Sequence, residues 1–191
     1  MAENNKDERV MIFIDLRNVL GSIKDFRRLG AKLDFEELVE SLRDGRRLVG
    51  TYVFDGTRTD GLSSKIHDEL RNLGFRVITR TCYEKETNAQ KEIDVAMSCE
   101  ILSQAYRDSY DSAIVVSGDR DFRPAVESIQ TLGKKGEVAA FSCGASVILS
   151  QSCDTFHDLD MVPMFSYAPE YVRHTEVSVA DQFTLPQEVA A

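Results

Sequence analysis

Short apolar runs alternate with amphipathic stretches from about residue 8 to residue 160, and the alternation predicts strands and helices in turn. Val10–Asp15 and Ser112–Val116 have the length and β-branched content of strands buried on both faces. Arg47–Phe54 alternates and ends in the turn-like pair Asp55-Gly56, Phe75–Thr81 follows as a third strand, and Glu137–Phe141 reads as a fifth. Helical spacing fills the gaps. It runs from the first strand through Leu29 and over Leu33–Leu42, with Asp34 a cap ahead of Glu36 and Glu37. It returns over Asp60–Leu73, closed by Gly74, around Ile93, Met97 and Ile101, and over Arg123–Leu132. Such alternation predicts an α/β fold on a parallel sheet. Glu84–Gln90 reads as a loop beside the fourth helix. Residues 1–8 read as a flexible N-terminus, 9–165 as one domain, and 166–191 as an acidic polar tail. Pro169 and Pro186 punctuate that tail, which is either a flexible extension or a segment for a protein partner. No internal repeat is evident.

Acids collect where the strands end. In AIVVSGDRDF the strand breaks at Ser117-Gly118 and releases Asp119 and Asp121 into a turn before a helix carrying Phe122, Val126 and Ile129 on one face. VMIFIDLRN repeats the arrangement with Asp15 and Asn18. A first strand is usually central in a parallel sheet, so Asp15 emerges near Asp119 if the two strands are neighbours. That carboxyl edge is where open α/β sheets hold their sites. Asp94 is expected in the first turn of its helix. Each acid has a structural reading too: Asp121 as the cap of the next helix, Asp119 as a turn residue, Asp94 as a partner of the helix dipole. Four acids on one edge repel one another, and a divalent cation relieves that repulsion. Oxygen donors without clustered His or Cys favour Mg²⁺ or Mn²⁺ over zinc. Asp15, Asp94 and Asp119 form the expected cage, with Asp121 on a metal or its water. Asn18 is placed to orient a water, and Ser117 either hydrogen-bonds a carboxylate or is an ordinary turn serine. Asp55 also ends a strand, but a turn accounts for it.

Three segments carry a family resemblance: IFIDLRN at 12–18, EIDVAMSCEIL at 92–102 and VVSGDRDFRPAVESIQTLGKKGEV at 115–138. They resemble NYN domains, LabA-like members of the PIN-like metal-dependent ribonuclease superfamily. ASVILSQSCDTFHDL at 145–159 is similar to the family's last helix and edge strand, so the resemblance spans about residues 8–160. It implies a PIN-like three-layer α/β/α sandwich with a mostly parallel sheet of five to six strands. It also implies Mg²⁺- or Mn²⁺-dependent hydrolysis of RNA phosphodiesters and pairing of two copies. The family's acids fall on Asp15, Asp94, Asp119 and Asp121, with Asn18 beside them. A helix position that usually holds another aspartate carries Glu100, about 120° around the axis from Asp94 and so outside direct metal contact. Arg17 and Arg120 stand where many relatives have small residues, placed to touch phosphate or to obstruct the site.

Charge pulls the other way. At −9 the chain as a whole repels a polyanion. RNA contact therefore falls to local basic clusters: Arg17, Lys24, Arg27, Arg28 and Lys32 after the first acid, and Arg120, Arg123, Lys134 and Lys135 after the second. Arg17, Lys24, Arg120 and Arg123, with Lys91 one helical turn before Asp94, are the candidate substrate contacts. No basic stripe interleaved with aromatics predicts a stacking platform. The absence of an 18-residue apolar run or a charged-then-apolar leader predicts no membrane span and no export. Cys82, Cys99, Cys143 and Cys153 form no Cys-x-x-Cys pair and read as reduced, mostly buried thiols of a cytoplasmic protein. His67, His157 and His174 read as surface or satisfied histidines. The expected function is a metal-dependent ribonuclease. The alternative is a catalytically weak or inactive RNA- or protein-binding module on the same fold. A phosphatase-like hydrolase needs a nucleophilic aspartate with an acid two residues on, which Asp15-Leu16-Arg17 lacks.

Overall fold

Strand β1 (Arg9–Asp15) feeds two cores at once. Val10, Ile12 and Ile14 join one apolar cluster and Met11 and Phe13 join another, because successive side chains leave a strand on opposite faces. The computed structural model describes residues 6–24, 31–57, 64–81, 88–162 and 164–167. The other strands are β2 (Ala31–Leu33), β3 (Arg47–Thr57), β4 (Arg76–Thr81), β5 (Ser112–Val116), β6 (Lys135–Ala140), β7 (Thr155–Asp158) and β8 (Phe165–Tyr167). The helices are α1 (Leu16–Ser22), α2 (Phe35–Arg43), α3 (Lys65–Asn72), α4 (Asn88–Tyr106), α5 (Arg123–Thr131) and α6 (Val147–Ser152).

Six strands form one sheet in the order β4-β3-β1-β5-β6-β7, with every neighbouring pair parallel. Leu16 and Val19 of α1, Leu38 and Leu42 of α2 and Leu70 of α3 pack on the face that Ile12 and Ile14 present. Ile93, Met97 and Ile101 of α4, Val126 and Ile129 of α5 and Leu149 of α6 cover the face of Phe13 and Val115. The result is the expected three-layer α/β/α sandwich on a parallel sheet.

Local chemistry explains the helix ends. Asp34 accepts the N–H groups of Glu36 and Glu37 at 3.0 and 3.1 Å and starts α2, as its sequence position predicts. Ser64 and His67 form a capping box for α3, and Gly74 at φ +83° lets the chain turn out of it.

Four expectations are corrected. Asp55-Gly56 is not a turn: β3 continues to Thr57, pairing Asp55 with Thr79 and Gly56 with Arg80 of β4. The Asp55 carboxylate takes the Gly56 N–H and sits 2.8 Å from His67 Nε2, so the extended backbone keeps the acid satisfied. Residue 33 belongs to β2, which pairs antiparallel with β8, and the helix starts only after Asp34. Helix α4 starts at Asn88, inside the expected loop, so Asp94 stands in its second turn, where the dipole's effect has faded. Cys99 and Cys143 are exposed and Cys153 half-buried rather than mostly buried, although all three are free thiols. Residues 1–5, Arg27, Arg28, 60–63, Cys82, 83–87, His174 and the tail from 168 lie outside the described residues.

Charged groups are sorted between the two edges of the sheet. At the amino edge, Arg46 pairs with Glu137 at 2.5 and 3.0 Å, and His157 Nε2 lies 2.7 Å from the same carboxylate. Glu8 accepts from Ser112 and Lys135 beside them. Burial alone raises the Glu137 carboxyl, but the His157 and Arg46 contacts outweigh it and hold the group at about 2. The carboxyl edge is built differently.

Candidate active site

The chain leaves β1 for β3 and β4 on one side and returns to β5 on the other. That reversal falls at the carboxyl ends of β1 and β5, the usual ligand position in an open parallel sheet. Asp15 is the last residue of β1, and α1 follows at once. Its carboxylate therefore caps the helix, accepting the Asn18 N–H at 3.1 Å. The Ser117 hydroxyl donates to the other Asp15 oxygen at 3.2 Å and accepts the Asp119 N–H at 3.2 Å. Asn18 Oδ1 accepts the Gly118 N–H at 3.0 Å. That bond fixes the amide's orientation, so the group Asn18 offers a ligand is its NH₂ donor.

Gly118 is demanded by contact. A Cβ there would lie 2.0 Å from the Gly144 carbonyl oxygen, and Gly118 O accepts the Ser146 N–H at 2.9 Å. Sequence reasoning missed Gly144 and Ser146 as supports of this turn; the glycine at a strand end was the available signal. Asp119 caps a single 3₁₀ turn, Arg120–Phe122, by accepting the Asp121 N–H at 3.0 Å. The capping acid is thus Asp119, and α5 has no side-chain cap from Asp121.

Asp15 is 2% exposed. Burial pushes its carboxyl up to about 6, and repulsion from Asp94 and Asp119 adds to this against the bonds from Asn18 and Ser117. The Asp15 carboxylate thus feels the charges of Asp94 and of Asp119. Asp94 is itself buried on α4, whereas Asp121 is exposed on the rim, 4.0 Å from the Arg120 guanidinium. Arg17 and Lys24 are exposed, and Arg123 bonds Glu127 at 2.6 Å. The Lys91 side chain lies outside the described residues. Glu100 accepts from Gln104 at 2.7 Å, and Asp55 is engaged with His67 at 2.8 Å.

Among the described residues, Asp15, Asp94 and Asp119 offer oxygen donors, and the buried carboxyl of Asp15 is under like-charge repulsion. A divalent cation fits both the donor type and the charge. Among the described residues, no three His, Cys, Asp or Glu side chains are already gathered as a metal site.

The NYN domain family model matches residues 9–160. The chain belongs to the NYN domain family. The motifs at 12–18, 92–102 and 115–138 all fall within that match, and membership places the chain in a nuclease-like superfamily whose enzymes typically use divalent metals. No curated protein is similar enough to count as a match. The crystal structure of a protein of unknown function from Vibrio parahaemolyticus is similar with a TM-score of 0.71 at 24% identity, over 87% of this chain and 100% of that one. At that identity the likeness shows the fold alone. Among the described residues of this NYN protein, no helix is long and apolar enough to cross a membrane.

Proposed function

We propose that this NYN domain is a Mg²⁺- or Mn²⁺-dependent ribonuclease. The observation that carries the reading is the buried carboxyl of Asp15 at the sheet's switch point, repelled by Asp94 and Asp119. Asp15, Asp94 and Asp119 would hold the ion, with Asp121 on the adjoining rim. When bound, the ion supplies a more acidic water and a counter-charge for the phosphate oxygens. The chain's own residues do the positioning. Ser117 fixes the Asp15 carboxylate, Asn18 presents its NH₂ toward a water or phosphate oxygen, and the exposed Arg17 and Arg120 offer cations to flanking phosphates.

The test is cleavage of labelled single-stranded and hairpin RNA with Mn²⁺, Mg²⁺ or chelator, comparing the wild type with Asp119→Asn. Asparagine keeps the cap while removing the charge. Cation-dependent cutting that is lost in the variant supports the reading. A well-folded wild type that binds RNA without cutting it selects the alternative, a non-catalytic binding module. That alternative draws on the net charge of −9 and on the absence of three ligands already gathered among the described residues.

A further inference from the structure

The turn that carries Asp119 is backed by the segment that follows β6. A Cβ at Gly118 would lie 3.1 Å from the Ala145 Cα as well as against the Gly144 carbonyl, so the two backbones are in contact. On its other side Gly144 meets α1. A Cβ there would lie 2.8 Å from Ser22 Oγ, and that hydroxyl donates to the Asn18 carbonyl at 3.0 Å. Gly144 is thus a wedge between the Asp119 turn and the helix carrying Asn18, the same joint that the Asn18–Gly118 bond crosses. Close-packed contacts of this kind pass a displacement on rather than absorb it. What holds the wedge lies farther off. Ser142 donates its N–H to Asp160 Oδ2 at 3.0 Å and its hydroxyl to both oxygens of Asp158 at 3.2 Å. Asp158 ends β7 and caps the 3₁₀ turn Leu159–Met161 by accepting the Asp160 N–H at 3.0 Å. Leu159 is fully buried, so that turn is anchored in the core. Asp119 and Asp121 form a turn of the same kind, but at Asp158 and Asp160 the carboxylates take the donors of Ser142.

We infer that Ser142, Asp158 and Asp160 are positioning residues: they clamp residues 142–146 against Gly118 and so hold Asp119 and Asn18 in place relative to Asp15. The kinetic consequence rests on the ribonuclease reading. The clamp itself rests on the hydrogen bonds and the packing of Gly144. Groups that orient a ligating carboxylate directly are worth 10–100-fold in activity, and a support one contact further back is expected to be worth about tenfold. Because the clamp acts on the geometry of the acids and not on RNA, its loss falls on kcat and leaves KM unchanged.

The experiment compares the wild type with Asp160→Ala, Asp160→Asn and Asp154→Ala, all at the same folded fraction. Asp160 is exposed, so its removal spares the core. Asparagine keeps an acceptor for the Ser142 N–H. Asp154 is the control: its carboxylate accepts the Gly136 N–H at 2.8 Å, an equivalent bond at the opposite ends of β6 and β7. Two readouts are taken: kcat and KM for a labelled RNA strand at saturating Mn²⁺, and amide exchange of the Ser146 N–H in chelator. That N–H is bonded to the Gly118 carbonyl and reports the wedge without turnover. The expected result for Asp160→Ala is about tenfold lower kcat at unchanged KM and about tenfold faster Ser146 exchange. Asp160→Asn recovers both, and Asp154→Ala leaves both at the wild-type values. A wild-type kcat in Asp160→Ala, or an equal loss in Asp154→Ala, overturns the inference. If the wild type cuts no RNA, the ribonuclease reading fails and exchange decides: faster Ser146 exchange in Asp160→Ala alone supports the clamp, and unchanged exchange overturns it.

Discussion

Ser117 donates its hydroxyl hydrogen to Asp15 at 3.2 Å while its oxygen accepts the Asp119 N–H at 3.2 Å. One small side chain thereby joins the end of β1 to the turn after β5 and holds two of the clustered acids in a fixed relation. The site depends on the strands being neighbours, which the β1–β5 pairing provides.

Ser117→Ala removes both bonds at a residue that is 1% exposed. The Asp119 N–H then lacks its partner, at an expected cost of about 1–3 kcal/mol. Loss of this support should also lower RNA cleavage roughly 10–100-fold, as for other groups that orient a ligating carboxylate. Urea unfolding and cleavage rate check the two effects; a neutral outcome in both would reduce Ser117 to an ordinary turn residue.

Stability without divalent cations should peak in mildly acidic solution. The Asp15 carboxyl titrates near 6 when folded against 3.8 unfolded, so the folded state binds this proton more tightly. Its contribution is complete below pH 3.8 and is lost as pH rises through 6, a difference on the order of 3 kcal/mol. Glu137 acts in the opposite sense. Held at about 2 against 4.5 unfolded, it contributes above pH 4.5 and is lost as pH falls toward 2. Unfolding in chelator across pH 3–8 should show the maximum, and Asp15→Asn should flatten the alkaline side alone.

Gly118→Ala should disturb the turn between β5 and α5. The added Cβ meets the Gly144 carbonyl at 2.0 Å, so backbone has to move. An expected loss of about 1–3 kcal/mol follows from forcing atoms into a filled space. Thermal unfolding measures it.

At the far edge, Arg46→Ala leaves Glu137 buried with one partner fewer, and should cost about 3–5 kcal/mol. Cleavage per folded molecule should stay at the wild-type rate, because this network stands at the amino edge and the acids at the carboxyl edge. A specific loss of cleavage in fully folded Arg46→Ala would break that division.

Much of this layout is legible in the chain because it follows from local pattern. Val10–Ile14 and Ala113–Val116 read as doubly buried strands, and the parallel order then brings Asp15 and Ser117 together. What escaped the sequence is decided by distant contacts. Asp55-Gly56 has the composition of a turn, yet β4 on one side and His67 below keep it extended. The β2–β8 pair joins three-residue segments that start at Ala31 and Phe165, too short to carry a period of their own. Glu137 opens the expected fifth strand with no signal in the sequence for its burial against Arg46 and His157. Asp94 reads as a first-turn residue because nothing in the polar run before it marks a helix start, yet the helix begins at Asn88.

The most direct test is the Mn²⁺ dependence of cleavage of one labelled single-stranded RNA by the wild type and by Asp15→Asn. The expected result is cutting by the wild type that chelator abolishes, with a rate at least about a hundredfold lower in the variant at the same folded fraction. Cutting that survives in Asp15→Asn, or no cutting by a folded wild type at any Mn²⁺ concentration, contradicts the account.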